Sequence, residues 1–292
     1  MKQTAYWYDA LPRPQFAQFS PVAVDSSWFT VYQIQDSIFV ICEPHHFQEN
    51  FSFLLLGSSH AVLIDSGLGM GDIRSITQQL TALPVSVVNT HTHFDHIGGN
   101  SLFERCYIRS HPAAEARLST GYTAKELGSN LAPQAFDGKV KPPVPLTQFQ
   151  ISPCRFQTLA DGEVLKLGSL ELQCIAAPGH SDDSTVFALH SHKLLFMGDV
   201  FYPGPLYAFA QNSMQKNILA VYQQTLEKLA GRFSSYTLLC AHNEPVQPGC
   251  MLQYAADAFK AIQQNMVPYT EQQNGLLHSY AFSGFSILTD IF

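Results

Sequence analysis

The sequence predicts an α/β (α+β) fold of two mixed β-sheets packed together, with helices outside. Three observations carry this expectation. Short apolar runs recur between Gly, Ser, Asp and Pro, as strands do. The order strands, helix, strand, helix appears in the first part of the chain and again after residue 153. Neither part alternates strand and helix strictly, so a doubly wound parallel sheet fits poorly.

Residues 1–26 hold Pro12, Pro14 and Pro21 among aromatics with no clear period, and read as an arm on the surface. Residues 27–292 read as one domain, since no Gly-, Ser- or Pro-rich linker divides them. The first strands are expected at 29–32, 38–41, 53–56 and 61–64, with Gly57-Ser58-Ser59 as a hairpin turn. A helix is predicted over 72–82 with Asp72 near its start, then a strand over 85–88. Pro112 suits the first turn of a helix over 111–119. Residues 120–153 hold five prolines and little apolar period, the character of a lid or binding loop. Further strands are expected near 155–159, 163–167, 170–176, 185–189, 193–197 and 236–239. Helices are expected over 214–230, ended by Gly231, and over 249–265, and 285–288 reads as a closing edge strand.

Of the 292 residues, 46% are apolar and 13% charged, which excludes disorder. The net charge of −7 and the lack of any Lys/Arg run disfavour a nucleic-acid binder. No apolar stretch approaches a membrane span, and the N-terminal residues lack a secretory apolar region. Six Cys without a C-x-x-C pair read as reduced, mostly buried thiols. The chain is therefore expected to be cytoplasmic. Its oligomeric state stays open, a homo-oligomer included.

The unusual count is twelve His. Three of them, with a carboxylate, crowd into Thr90-His91-Thr92-His93-Phe94-Asp95-His96. In extended chain, residues i and i+2 share a face, so His91 and His93 can grip one ion together. A sharp turn then redirects Asp95 and His96 toward a second ion, and Gly98 and Gly99 permit close backbone approach where the chain leaves. Three further candidates each follow an apolar run: His180, Asp199 and His242. His91, His93 and His180 make one site; Asp95, His96 and His242 make another; Asp199 can bridge the two. Such a set suits two divalent ions, zinc first, with iron or manganese as alternatives, in an open catalytic site.

H-x-H-x-D-H followed by these three ligands in this order resembles the metallo-β-lactamase-fold hydrolase superfamily, over about residues 28–265. The resemblance implies a four-layer αββα sandwich with the site at one edge. Ile64-Asp65-Ser66-Gly67 is similar to the family's early Asp-x-Gly strand end, which implies that Asp65 supports the ligand loop from behind.

The expected chemistry is attack of a metal-bridging hydroxide on an ester, lactone or thioester carbonyl. Asp95 would orient the hydroxide and carry a proton. Tyr202, placed as in acyl-homoserine lactonases, would donate to the oxyanion. Asp199 argues against a true β-lactamase, and His93 against the oxygen-reducing flavoprotein members. Glyoxalase II-type thioesterases share all seven ligands. Lys260 is the sole Lys or Arg after His242, however, so glutathione recognition is not expected. The aromatic, uncharged stretch Tyr202–Phe209 and residues 120–150 suggest a neutral or apolar small-molecule acyl substrate. Three rivals stay open: a mononuclear iron oxidoreductase resembling persulfide dioxygenases, a phosphodiesterase, and a non-catalytic metal-holding regulator. His45 and His46 precede the strand at 53 and could face the site, but read rather as exposed loop residues, and His111 as a cap or packing residue.

Overall fold

The computed structural model describes residues 6–210 and 217–290. They divide into two compact units. The first comprises the chain up to Ile108, with Glu115–Thr158 and Leu167–Leu170; the second comprises Arg109–Ala114, Leu159–Lys166 and the chain from Glu171.

An eight-stranded sheet dominates the first unit: β1 (Ser20–Val22), β2 (Thr30–Gln35), β3 (Ile38–Glu43), β4 (Asn50–Leu56), β5 (Ala61–Ile64), β6 (Val85–Asn89), β7 (Cys106–Arg109) and β8 (Phe156–Leu159), neighbours in that order. Strands β1 to β5 run antiparallel, while β5–β6 and β6–β7 are parallel. Asn50 to Leu55 of β4, and β5 throughout, are buried. That is why they read as apolar runs rather than alternating ones. The parallel β5–β6 pair needs a crossover, and α1 (Ile73–Leu80) supplies it. Asp72 caps α1, its carboxylate accepting the Ser75 N–H at 3.0 Å. The one-turn α2 (Phe94–Ile97) follows β6.

The N-terminal segment does more than lie on the surface. Its β1 extends the sheet, pairing Val22 with Val31, and Phe16 is buried with its ring against Tyr32 and Phe51. These aromatics sit singly in the sequence, so no period marks them.

Helix α3 (Pro112–Thr120) begins at the expected proline, with His111 Nδ1 accepting the Ala113 N–H at 3.3 Å. The region 120–153 contains α4 (Ala124–Leu127), 3-10 turns and no long strand. Thr123 and Glu126 close a reciprocal capping box on α4.

The second unit adds β9 (Val164–Leu167), β10 (Leu170–Ala176), β11 (Thr185–Leu189), β12 (Leu194–Gly198), β13 (Pro205–Ala208), β14 (Thr237–Cys240), β15 (Val246–Pro248), β16 (Thr270–Gln272), β17 (Leu277–Phe282) and β18 (Phe285–Thr289). Six of these form a mixed sheet in the order β15-β14-β12-β11-β10-β9, and four form a smaller sheet in the order β13-β18-β17-β16. Helices α5 (Ile218–Phe233) and α6 (Met251–Gln263) share its core, with Tyr222 and Phe259 rings 4.4 Å apart.

Two expectations fail here. Gly231 does not end α5, which continues to the buried Phe233. Burying that ring outweighs the glycine's cost of about 1 kcal/mol. Strand β18 is no edge, since it pairs with β13 on one side and β17 on the other. Part of the helix expected over 214–230 (214–216) lies outside the described residues.

Candidate metal centre

In the first unit the ligand segment hangs from the ends of two adjacent parallel strands, β5 and β6. Asp65 follows β5 with φ +57°, a left-handed conformation that Asp tolerates. Its carboxylate gathers the segment that follows β6. Oδ1 accepts the Thr90 N–H at 2.8 Å, and Oδ2 accepts the Thr90 hydroxyl at 2.7 Å and the Nδ1–H of His96 at 2.8 Å. His96 therefore keeps its Nε2 lone pair for a ligand. The Thr90 hydroxyl, having given its proton to Asp65, faces His91 Nδ1 at 3.2 Å and holds that ring in the same tautomer.

His93 stands at the N-terminus of α2, and Asp95 and His96 fill its single turn. The His91 ring lies 4.6 Å from that of His93 and 4.1 Å from that of His96. His96 Nε2 is 3.7 Å from an Asp95 oxygen. His91, Asp95 and His96 are buried. Three imidazoles and a carboxylate gathered there make sense as a donor set for a divalent cation, because burying such polar groups for packing alone is costly.

The turn is clamped by close backbone approach. A Cβ on Gly98 would sit 2.1 Å from the Leu68 carbonyl carbon, and one on Gly69 would sit 2.3 Å from the Gly98 oxygen. The expected role of Gly98 thus takes a definite form: two loops touch through their main chains.

In this unit two contributors escaped the sequence reading, and a third residue, His46, was misplaced by it. Glu43, at the end of β3, is buried; its carboxylate accepts the Trp28 Nε1–H and the Leu68 N–H, each at 2.7 Å. Burial pushes its pKa up to about 7, with hydrogen bonds from Trp28 and Leu68 opposing and Asp95 adding to the rise. Tyr122, in the proline-rich region, donates its hydroxyl to the carbonyl of Thr92, between two candidate ligands, at 3.0 Å. The Arg117 guanidinium lies 3.9 Å over its ring. Part of the 120–153 region thus reaches the ligand segment. His46 is fully buried rather than exposed, its Nε2 3.0 Å from the Asn130 carbonyl oxygen and its ring near Phe136. His45 is partly buried and pairs with Asp137 at 2.9 Å.

In the second unit His180, Asp199 and His242 follow β10, β12 and β14 respectively, all buried. Strands β12 and β14 are parallel neighbours, with Gly198 opposite Cys240, so Asp199 and His242 emerge side by side. One Asp199 oxygen is 2.9 Å from His242 Nε2, and the other is 3.4 Å from His180 Nε2. The carboxylate thus has an imidazole nitrogen near each of its oxygens.

Helix α5 holds this trio from beneath. The buried Tyr222 hydroxyl lies 3.0 Å from the carbonyl oxygens of both Asp199 and Val200, and Thr225 donates to the Pro178 carbonyl at 2.6 Å. A Cβ on Gly179 would meet the Tyr222 ring at 2.5 Å, so only glycine lets the His180 turn rest there. Burial, and then Asp199, raise the Tyr222 pKa well above its ordinary value. Tyr202 stacks edge-on to His242 with ring centroids 5.0 Å apart, and its hydroxyl donates to the Pro205 carbonyl at 2.5 Å.

The chain belongs to the metallo-beta-lactamase superfamily, whose profile matches residues 47–236. It is 31% identical over 219 residues to the chicken (Gallus gallus) acyl-coenzyme A thioesterase MBLAC2, covering 68% of this chain and 76% of that one. It is 24% identical over 227 residues to the hydroxyacylglutathione hydrolase of Psychromonas ingrahamii, covering 75% of each. Among solved structures, a beta-lactamase domain protein from Burkholderia ambifaria shares the fold with a TM-score of 0.55, at 16% identity over 91% of this chain and 99% of that one. No helix among the described residues is long and apolar enough to cross a membrane.

Proposed function

We propose that the protein is a dinuclear metal-dependent thioester hydrolase, acting on acyl thioesters of the coenzyme A type. The observation that carries the metal reading is the grouping of donor atoms. The first unit offers His91, His93, Asp95 and His96 within one short segment, and the second offers His180, Asp199 and His242 at strand ends of one sheet. Neutral imidazoles and carboxylates suit zinc, which we take as the native metal. Two such ions supply an acidified water as nucleophile and a Lewis acid for the substrate carbonyl.

The chain's own residues do the rest. Asp65 and Thr90 fix the tautomers of His96 and His91, so that both present Nε2. Asp95 orients the attacking water and takes its proton, passing it on to the leaving thiolate. Asp199 sets one oxygen beside His242 Nε2 and the other beside His180 Nε2, the position from which its carboxylate would share the ions that these imidazoles hold. Tyr202 is the candidate donor to the developing oxyanion, which it serves by exchanging the Pro205 carbonyl for it.

Coenzyme A is preferred over glutathione because the thioesterase relative is the more similar of the two reported. Six free cysteines among the described residues accord with a cytoplasmic enzyme.

The test is a rate panel on acyl-coenzyme A esters, S-acylglutathiones, acyl-homoserine lactones, aryl esters and phosphodiesters, before and after chelation, with metal analysis alongside. Two metal ions per chain and chelator-sensitive acyl-coenzyme A hydrolysis are expected. One iron per chain with oxygen uptake on a persulfide, or thioester turnover indifferent to chelation, would overturn the reading.

A further inference from the structure

Two cysteines meet behind the ligand turn. Cys106 opens β7 and is fully buried, while Cys154, which precedes β8, is only partly covered. The two thiols interact with one another, and both sulfurs meet Asn100. The Cys106 sulfur lies 3.5 Å from the Asn100 carbonyl oxygen, and Asn100 Nδ2 donates to the Cys154 sulfur at 3.7 Å. The Cys106 hydrogen bond, helped by Asn100 and opposed by burial, lowers the Cys154 pKa, whereas Cys106 is held protonated. A partly covered thiol beside a buried one, both placed on Asn100, is an arrangement in which oxidation of the first can be resolved by the second.

Asn100 links this pair to a metal ligand. Its Oδ1 accepts the Ser66 hydroxyl at 2.7 Å and Asn89 Nδ2 at 3.3 Å, and its Nδ2 donates to Asn89 Oδ1 at 2.8 Å. Asn89 Nδ2 in turn donates to the His96 carbonyl at 3.0 Å, which the Ser66 hydroxyl also faces at 3.4 Å. We propose that Cys106 and Cys154 are a hydroperoxide-responsive dithiol, whose oxidation to a disulfide disturbs Asn100 and thereby loosens the turn that carries His96.

The chemistry balances with a hydroperoxide as the oxidant. Cys154 gives up its proton and its sulfur attacks the peroxide; the O–O bond breaks, and the departing alkoxide takes up that proton to leave as an alcohol (water from hydrogen peroxide), with Cys154 left as a sulfenic acid. The Cys106 sulfur then attacks the Cys154 sulfur, the S–O bond breaks, and the departing hydroxide takes the Cys106 proton to leave as water. The two thiols lose two electrons in all and the peroxide gains them. Closing the bond draws the sulfurs to about 2.05 Å, so neither can keep its hydrogen-bonding place around Asn100. The other thiols lack this pairing: burial raises Cys42, Cys174 and Cys240, and Cys250 is exposed in the second unit.

The proposal rests on the metal reading of the site but not on its substrate. The test treats zinc-loaded protein with hydrogen peroxide, alkylates the remaining thiols, maps the peptides by mass spectrometry and measures zinc retention against a chelator. Zinc retention before peroxide tests the metal reading by itself. A Cys106–Cys154 linked peptide is expected, with zinc affinity reduced about tenfold, as for loss of support behind a ligand. Dithiothreitol should reverse both. Cys106→Ser should stall at a dimedone-reactive Cys154, and Cys154→Ser should keep its zinc under peroxide. Both thiols remaining alkylatable while Cys250 oxidises would overturn the dithiol. Linkage with unchanged zinc retention, or zinc loss persisting in Cys154→Ser, would overturn its coupling to His96.

Discussion

Asp65 receives the Nδ1–H of His96 at 2.8 Å, on the same oxygen that accepts the Thr90 hydroxyl. A carboxylate can accept on all sides, whereas an amide must present two N–H groups. In Asp65→Asn, one of Thr90 N–H, Thr90 O–H or His96 Nδ1–H therefore meets a donor. The imidazole can relieve the clash by moving its proton to Nε2, the atom a metal needs. Zinc affinity should fall about 10- to 100-fold. Chelator competition measures this, and an unchanged affinity would show that Asp65 does not set the tautomer.

Glu43 gives a pH dependence opposite to that of most carboxylates. Its folded pKa of about 7 lies above the ordinary 4.5, so between those values the folded state binds more protons than the unfolded state. Its contribution to stability is greatest below pH 4.5, declines as pH rises through 7 and stays lost above. A displacement of this size corresponds to about 3 kcal/mol. Denaturant unfolding of the metal-free protein between pH 5 and 8 should therefore show a fall in stability that is absent from Glu43→Gln. Parallel pH profiles in the two proteins would refute the assignment.

Tyr202 tests the least settled part of the proposed machinery. Removing a preorganised oxyanion donor costs about 100- to 1000-fold in kcat. Because this hydroxyl already serves the Pro205 carbonyl, Tyr202→Phe should cost less, about tenfold in kcat, with KM and zinc content unchanged. No change in kcat would make Tyr202 a packing partner of His242 only.

How much of this was legible in the sequence depends on range. His91, His93, Asp95 and His96 announce themselves because four donors in one short segment have no structural explanation. His180, Asp199 and His242 could be found because each ends an apolar run, and strand ends are where a sheet presents side chains. Glu43, Tyr122 and Tyr222 could not. Each acts through a contact distant in sequence, and each looks locally like an ordinary strand, loop or helix residue. Phe233 hid the true end of α5 for a similar reason: what carries the helix past Gly231 is burial, which propensity does not register. Strand β18 passed for an edge because its partner β13 is a short strand inside a proline- and glycine-rich stretch.

The Tyr222–Gly179 contact gives a prediction about stability as well as activity. Gly179→Ala would place a methyl carbon 2.5 Å from the ring, and the ring is held by its hydroxyl on Asp199 and Val200. Overpacking of this kind costs about 1–3 kcal/mol. The variant should melt at a lower temperature and bind its metals more weakly, because His180 adjoins the displaced residue. Tyr222→Phe removes the hydroxyl but keeps the ring, so Gly179→Ala should remain destabilising in that background. Relief in the double variant would mean that the hydroxyl, not the ring, sets the fit.

Asp199→Asn is the most direct test of the paired site. The amide retains one acceptor oxygen, but its nitrogen would face either His242 Nε2, where a carboxylate oxygen now stands at 2.9 Å, or His180 Nε2, where one stands at 3.4 Å. It also removes the negative charge that would offset two dications, so one ion should be lost or both held weakly. Metal content should drop from about two ions per chain to one or fewer, and thioester turnover by about a thousandfold, the equivalent of the several kcal/mol that a metal contributes to a hydrolytic transition state. His93→Ala should act in the same direction by removing an imidazole donor from the first unit's segment. Full activity and full metal content in both variants would mean that the seven side chains do not share a pair of ions. Loss of metal in His93→Ala alone would reduce Asp199 from a bridge to a hydrogen-bonding partner of His180 and His242.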